Sequence, residues 1–189
     1  MRQVMKTIVS MMVLGFTHAM SSGGTALYEA SSQTPPLDTA RAKLEFLVGS
    51  FTTETAIPPM PGMPKGATGK GTTVITWSLD SMFLSIDEQS MNEFFGQYKG
   101  HGMLGFEAQT NQFVLSMFNN FGDHPEYHGT FVADTLVLQT KIAAQRRSFD
   151  QKILWYKEGD AVKMKVLNDS GKGYYLALEQ KAVPITHRR

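Results

Sequence analysis

Residues 70–79 read KGTTVITWSL, and their order decides the fold class. Thr73, Ile75, Trp77 and Leu79 stand two apart and share one face of an extended chain; Lys70, Thr72, Thr76 and Ser78 share the other, with Val74 the apolar exception. Thr72 to Thr76 are all β-branched, which disfavours a helix and suits a pleated surface. The pattern predicts a half-buried antiparallel strand. After a turn at Asp80-Ser81 the same period resumes in Leu84 and Ile86, and it carries Glu88 inward together with Met82 and Ser90. An inward carboxylate is costly unless paired, so Glu88 is read as a ligand anchor or a general base with a raised pKa. The competing reading puts it at a rim or beyond a bulge.

The alternation extends in both directions. Phe94, Tyr98, Leu104 and Phe106 mark a long strand in which Gly96, Gly100 and Gly102 share a face, a pattern of bending or close approach. Further strands are predicted at Phe113–Phe118, Tyr127–Val132, Thr135–Ile142, Ser148–Tyr156, Val162–Asn168 and Tyr174–Ala182, separated by turn residues such as Ala133-Asp134, Glu158-Gly159-Asp160 and Asp169-Ser170-Gly171. With a strand after Gly49 the total is about ten. No helix long enough for parallel crossovers lies between them. A meander of this kind leaves two exposed edges unless it closes, so the predicted fold is mainly β: a single antiparallel up-and-down barrel, with a two-sheet sandwich as the alternative. One short helix precedes it, capped by Asp38, running through Ala40, Leu44, Phe46 and Leu47 and stopped by Gly49. The proline-rich stretch Ile57–Thr68 is placed as a loop at the barrel mouth, either an ordinary solvent loop or a lid.

The front of the chain reads differently. Arg2 and Lys6 precede an apolar run, TIVSMMVLGF from Thr7 to Phe16, followed by Thr17-His18-Ala19 with small residues where a signal peptidase cuts. Residues 1–26 are therefore read as a signal peptide and cleavage region, cut after Ala19 or Ala26; 27–36 as a flexible leader; 37–183 as the barrel; and 184–189 as a tail. The apolar run is too short to span a bilayer, and with no cysteine there is nothing to acylate, so no stable membrane anchor is expected. A secreted or periplasmic location follows. The whole chain has 18 Lys and Arg against 17 Asp and Glu; without its first 26 residues 16 basic residues face 17 acidic ones. Neither balance nor any basic run suits nucleic acid. The absence of cysteine excludes disulfides, thiolate metal sites and a cysteine nucleophile.

LEFLVGSF (Leu44 to Phe51), GKGTTVITWSLDSMFLSID (Gly69 to Asp87), YKGHGMLGFE (Tyr98 to Glu107) and QFVLSMFNNFG (Gln112 to Gly122) together resemble a bacterial family known as domain of unknown function 1579. The resemblance covers roughly Leu37 to Lys141 and, more loosely, the remainder. Phe51 stands where tryptophan is common in that family, and Phe106-Glu107 where Tyr-Asp is usual. The resemblance implies a lipocalin-like barrel, with a Gly-x-aromatic element at the first strand. It brings no activity and no catalytic residue.

Several motifs weaken on inspection. Gly100-His101-Gly102-Met103-Leu104-Gly105 spells a dinucleotide fingerprint, but a strand follows it where a phosphate-binding helix is required. Pro64 to Gly71 lacks both the first glycine and the final Ser/Thr of a P-loop. His124 and His128 in HPEYH could share a metal on a helix, which Pro125 opposes, or in a tight turn, but stand too far apart if extended, and alternation puts His101 outside the barrel, away from any haem. No metal site, cofactor or catalytic residue is assigned. The interior is predicted to be lined by Trp77, Glu88, Tyr98, Phe113, Met117, Trp155, Met164 and Tyr174, which would bind a small, partly apolar molecule. The alternatives are an acid/base enzyme of isomerase or hydrolase type in the same cavity, and a structural or partner-binding module.

Overall fold

A computed structural model describes residues 37–61, 63–144, 147–169 and 171–186. The signal peptide read over 1–26 and the leader over 27–36 lie outside the described residues. A helix, α1 (Leu37–Leu44), and a 3₁₀ turn (Glu45–Leu47) lead into ten strands: β1 (Gly49–Ile57), β2 (Ala67–Ser78), β3 (Phe83–Asn92), β4 (Gly96–Glu107), β5 (Gln112–Asn119), β6 (Glu126–Val132), β7 (Thr135–Ala144), β8 (Arg147–Glu158), β9 (Ala161–Asp169) and β10 (Tyr175–Pro184). Each strand pairs antiparallel with its neighbours in the chain, and β1 pairs with β10, so the sheet is a closed barrel with no free edge. The barrel prediction holds and the sandwich does not.

Pro184 sits opposite Phe51 at the closing seam. The Ile185 N–H donates to the Ser50 carbonyl at 2.8 Å, so the intervening Phe51–Pro184 pair is one that exchanges no ladder bond, and the missing N–H of proline costs nothing toward β1. The sheet thus runs one residue into the stretch read as a tail.

Chain direction alternates, so the two ends of the barrel differ. The helix and the tight turns at 79–82, 108–111, 133–134 and 159–160 share one end. There Leu44 and Leu47, each 1% exposed, drop into a core with Leu84, Leu104, Leu136 and Leu138, while Phe46 meets Phe131 edge-on at 6.4 Å. That end is plugged. The connections 58–66, 93–95, 120–125 and 171–174 gather at the other. The helix begins one residue earlier than Asp38, which lies inside its first turn and pairs with Arg41 at 3.5 Å. Leu79, Met82 and Phe94 are exposed residues of turns rather than inward strand positions, because a two-residue period ends where its strand does.

The proline-rich connection lies at the open end, packed aside. Met60 and Met63 exchange backbone hydrogen bonds of 3.1 and 2.8 Å, and Met63 buries against Ile57 and Ala67 with Leu178 beside them. Gly66 makes the return, with φ +68° and the Ile57 carbonyl oxygen only 2.3 Å from where a Cβ would stand.

Candidate functional site

The inward faces of the strands are unequal, and the inequality makes a site. β1, β2 and β4 point Thr53, Thr55, Gly69, Thr73, Gly100 and Gly102 inward, all small. Across the barrel β6, β8 and β9 point Tyr127, Ile153, Trp155 and Met164 toward them. The small wall leaves room that the large wall does not fill, and a cavity of about 430 Å³ remains between the plugged end and the open one. Leu47, Phe51 and Ile75 form its floor; Phe95, Phe121 and Pro125 stand at its mouth. The glycines on β4 shape one side: a Cβ on Gly100 would strike the Tyr98 ring, and one on Gly102 would strike Met117 Sδ. Those two side chains occupy the space the glycines concede.

Polar groups interrupt this apolar lining, Thr55, Thr73, Ser90, Asn92 and Asn119 among them, and two sets of them are hydrogen-bonded to one another. Glu88 of β3 accepts a 2.7 Å hydrogen bond at Oε1 from Gln180 Nε2 of β10, across the arc formed by β2 and β1. Burial holds the Glu88 carboxyl above its ordinary value of 4.5, opposed by the Gln180 bond. On the opposite side the Tyr127 hydroxyl donates to Gln151 Oε1 at 2.5 Å, and Gln151 Nε2 donates to Asn168 Oδ1 at 2.9 Å, linking β6, β8 and β9. Burial, then the charge of Asp123, pushes the Tyr127 phenol up to about 12. Tyr98 is raised too, by burial first and then by Glu88, Tyr127 and Asp123. Both phenols are therefore neutral hydrogen-bonding groups. The Thr73 hydroxyl and Asn92 Nδ2 are buried without a hydrogen-bond partner among the described residues, whereas Asn92 Oδ1 accepts from the Phe94 and Phe95 N–H groups and holds the β3–β4 turn.

Of the eight residues read as lining the interior, Glu88, Tyr98, Met117, Trp155 and Met164 do line the cavity. Three do not. Trp77 points inward but at the plugged end, where its Nε1 donates to Glu45 Oε2 at 3.1 Å and Arg41 covers its ring at 5.6 Å. Phe113 is at the same level, fixed between Phe106 and Phe131 with ring centroids 5.2 and 5.3 Å away. Tyr174 lies outside β10 altogether. Asp169 Oδ1 accepts from the N–H groups of Gly171, Lys172 and Gly173, so the turn consumes these residues and leaves Tyr174 exposed under Lys152. Among the lining residues that the sequence reading does not name, Gln180, Gln151 and Tyr127 carry the polar contacts. The signal was present, since Gln180 alternates with Leu178 and Ala182, and Gln151 with Ile153 and Trp155.

Among the described residues, His101, His124 and His128 lie outside the cavity lining. His101 Nδ1 lies 2.8 Å from Asp87 Oδ1 on the outer wall, and His128 Nε2 lies 2.9 Å from Glu126 Oε1. Among the described residues no group of three His, Asp or Glu side chains converges on a point that could hold a metal ion. No helix of the described residues is long and apolar enough to cross a membrane. No family model matches the chain, and no curated protein matches its sequence.

Proposed function

We propose that this is an exported, lipocalin-like barrel, related to domain of unknown function 1579, that binds a small, partly apolar molecule in its interior. One observation carries the reading. Folded interiors are close-packed with few voids larger than a water, yet this barrel keeps about 430 Å³ open, within the range of small-molecule sites. The lining fits such a guest: aromatic and aliphatic walls supply area, and the Glu88–Gln180 and Tyr127–Gln151 pairs supply orientation.

Native mass spectrometry of protein purified from its own compartment tests this, with a retained small molecule that denaturation releases as the expected result. Trp155 lines the cavity and Trp77 does not, so Trp77→Phe leaves a single fluorophore that should respond to the neutral apolar probe N-phenyl-1-naphthylamine. Protein that arrives empty and shows no response would end the binding reading. The buried Glu88 carboxyl near Tyr98 also supports a second reading, an acid/base enzyme in the same cavity. It requires that Glu88→Gln abolish turnover while the guest is still held. For the exported location, sequencing of the secreted protein should begin after Ala19 or Ala26; a start at Met1 would overturn it.

A further inference from the structure

We propose that the guest is a lipophilic amine, with one ammonium head seated on Glu88 and an apolar body along the aromatic wall. The inference rests on the reading of the cavity as a binding site and adds the chemical class of its occupant. Among the described residues that line the cavity, Glu88 alone is an acid, and none is Lys, Arg or His. An anionic guest would find no cation there and would meet the Glu88 carboxyl directly. A cationic head meets the opposite situation.

The local geometry suits a donor-rich head. Among the described residues Gln180 is the sole side-chain hydrogen-bond partner of Glu88, and it takes Oε1, leaving Oε2 for a guest. The Gln180 amide oxygen belongs to the same pair and is a second acceptor. An ammonium group brings three N–H donors and no acceptor, the complement of that pair. Aromatic rings, whose faces attract cations, form a series that reaches it through Tyr98. Phe95 contacts Phe121 at 6.5 Å, Phe121 contacts Tyr98 at 5.9 Å, and Tyr98 is close enough to Glu88 to feel its charge. This aromatic series leads from the mouth to the carboxyl. Asp123, whose charge acts on both Tyr98 and Tyr127, adds negative potential at the open end.

Seating a cation also changes the proton count. Beside Glu88 in the sheet stand Thr73 on β2 and Gly100 on β4, and Gln180 of β10 is bonded to it; the titratable group its charge reaches is Tyr98 on β4, which in turn interacts with Tyr127 on β6 and Asp123 of the open-end connection. Both phenols remain neutral through the physiological range, so Glu88 is the interior group that responds. An arriving ammonium favours its ionised form, so where the free carboxyl is protonated that proton passes to solvent.

Calorimetric titration with octylamine, octanol and octanoate, matched in chain length, tests the assignment. In the wild type octylamine should bind at least about tenfold tighter than octanol and about a hundredfold tighter than octanoate. Titrations in buffers of different ionisation enthalpy, at a pH at or below the raised Glu88 value, should show proton release with octylamine and none with octanol. In Glu88→Gln the amine and the alcohol should bind within about twofold of each other. Octanoate binding as well as octylamine, or a preference for amine that survives Glu88→Gln, overturns the proposal while leaving the cavity a binding site. Should none of the three probes bind the wild type, the binding reading falls and takes this one with it. A thermal melt confirms that Glu88→Gln is folded, and the wild-type ranking decides the question even if it is not.

Discussion

Glu88 holds a proton more tightly in the folded barrel than in the unfolded chain, because the wall strips its hydration and only one hydrogen bond from Gln180 offsets the loss. The folded state therefore binds more protons than the unfolded one from pH 4.5 up to the raised folded value, and stability falls as pH climbs through that window. Below it the group contributes no penalty. Every tenfold rise in proton affinity costs about 1.4 kcal/mol once the carboxyl is ionised. Glu88→Gln keeps the acceptor for Gln180 and cannot ionise, so it should melt higher than the wild type at pH 8, by about 2–4 °C for each kcal/mol recovered, with the two curves converging near pH 4. A variant that melts lower at pH 8 would show that the carboxylate is stabilised rather than penalised. The inward direction of Glu88 was legible because Leu84 and Ile86 fix the phase of its strand. Its partner was not: the contact between Glu88 and Gln180 joins residues 92 apart and depends on barrel closure, which no local period records.

At the scale of elements, sequence period gives the face of a strand but not the height of a residue along the barrel. Trp77 and Phe113 obey their alternation and still miss the cavity, because α1 and the turn after it fill that end with Leu44, Phe46 and Leu47. Strand number and order were legible because most hairpin turns interrupt the alternation with residues suited to them; the turn at Glu93-Phe94-Phe95 has none, so the alternation runs Phe94 into the strand that follows. What the helix would cover was not, as its apolar side carries no mark of its destination. This division of the barrel into a plugged half and an open half predicts separable substitutions. Leu44→Ala removes a side chain 1% exposed that does not line the cavity, and should cost about 2–5 kcal/mol in urea unfolding with guest affinity nearly unchanged. Gly102→Ala drives Met117 from its seat toward the open space and crowds the Ser116 carbonyl, and should cost about 1–3 kcal/mol while weakening guest binding. If both substitutions move stability and binding together, the two halves are not independent.

The molecule as a whole depends on one long-range closure, the pairing of β1 with β10, which brings Thr52 beside Val183 with a 3.5 Å bond from the Thr52 hydroxyl to the Val183 carbonyl. Both side chains point outward and are exposed, and two cysteines placed there would face each other at a spacing that a disulfide accepts. The native chain has no cysteine, so this bridge could form no wrong partner. Linking positions 131 apart constrains the unfolded chain strongly, by about 4–5 kcal/mol at most on chain-entropy grounds. The oxidised Thr52→Cys/Val183→Cys variant should therefore unfold at higher denaturant than its reduced form. The same lock distinguishes two routes into the cavity. A guest could pass between the connections at the open end, where Phe95 and Phe121 stand, or the seam could part and reclose. Those rings already line the cavity and need only turn aside, whereas parting the seam would break the ladder of β1 with β10. Stopped-flow fluorescence of Trp155 should accordingly give the same association rate for octylamine in the oxidised and reduced proteins. A rate that drops severalfold on oxidation would place the way in at the seam.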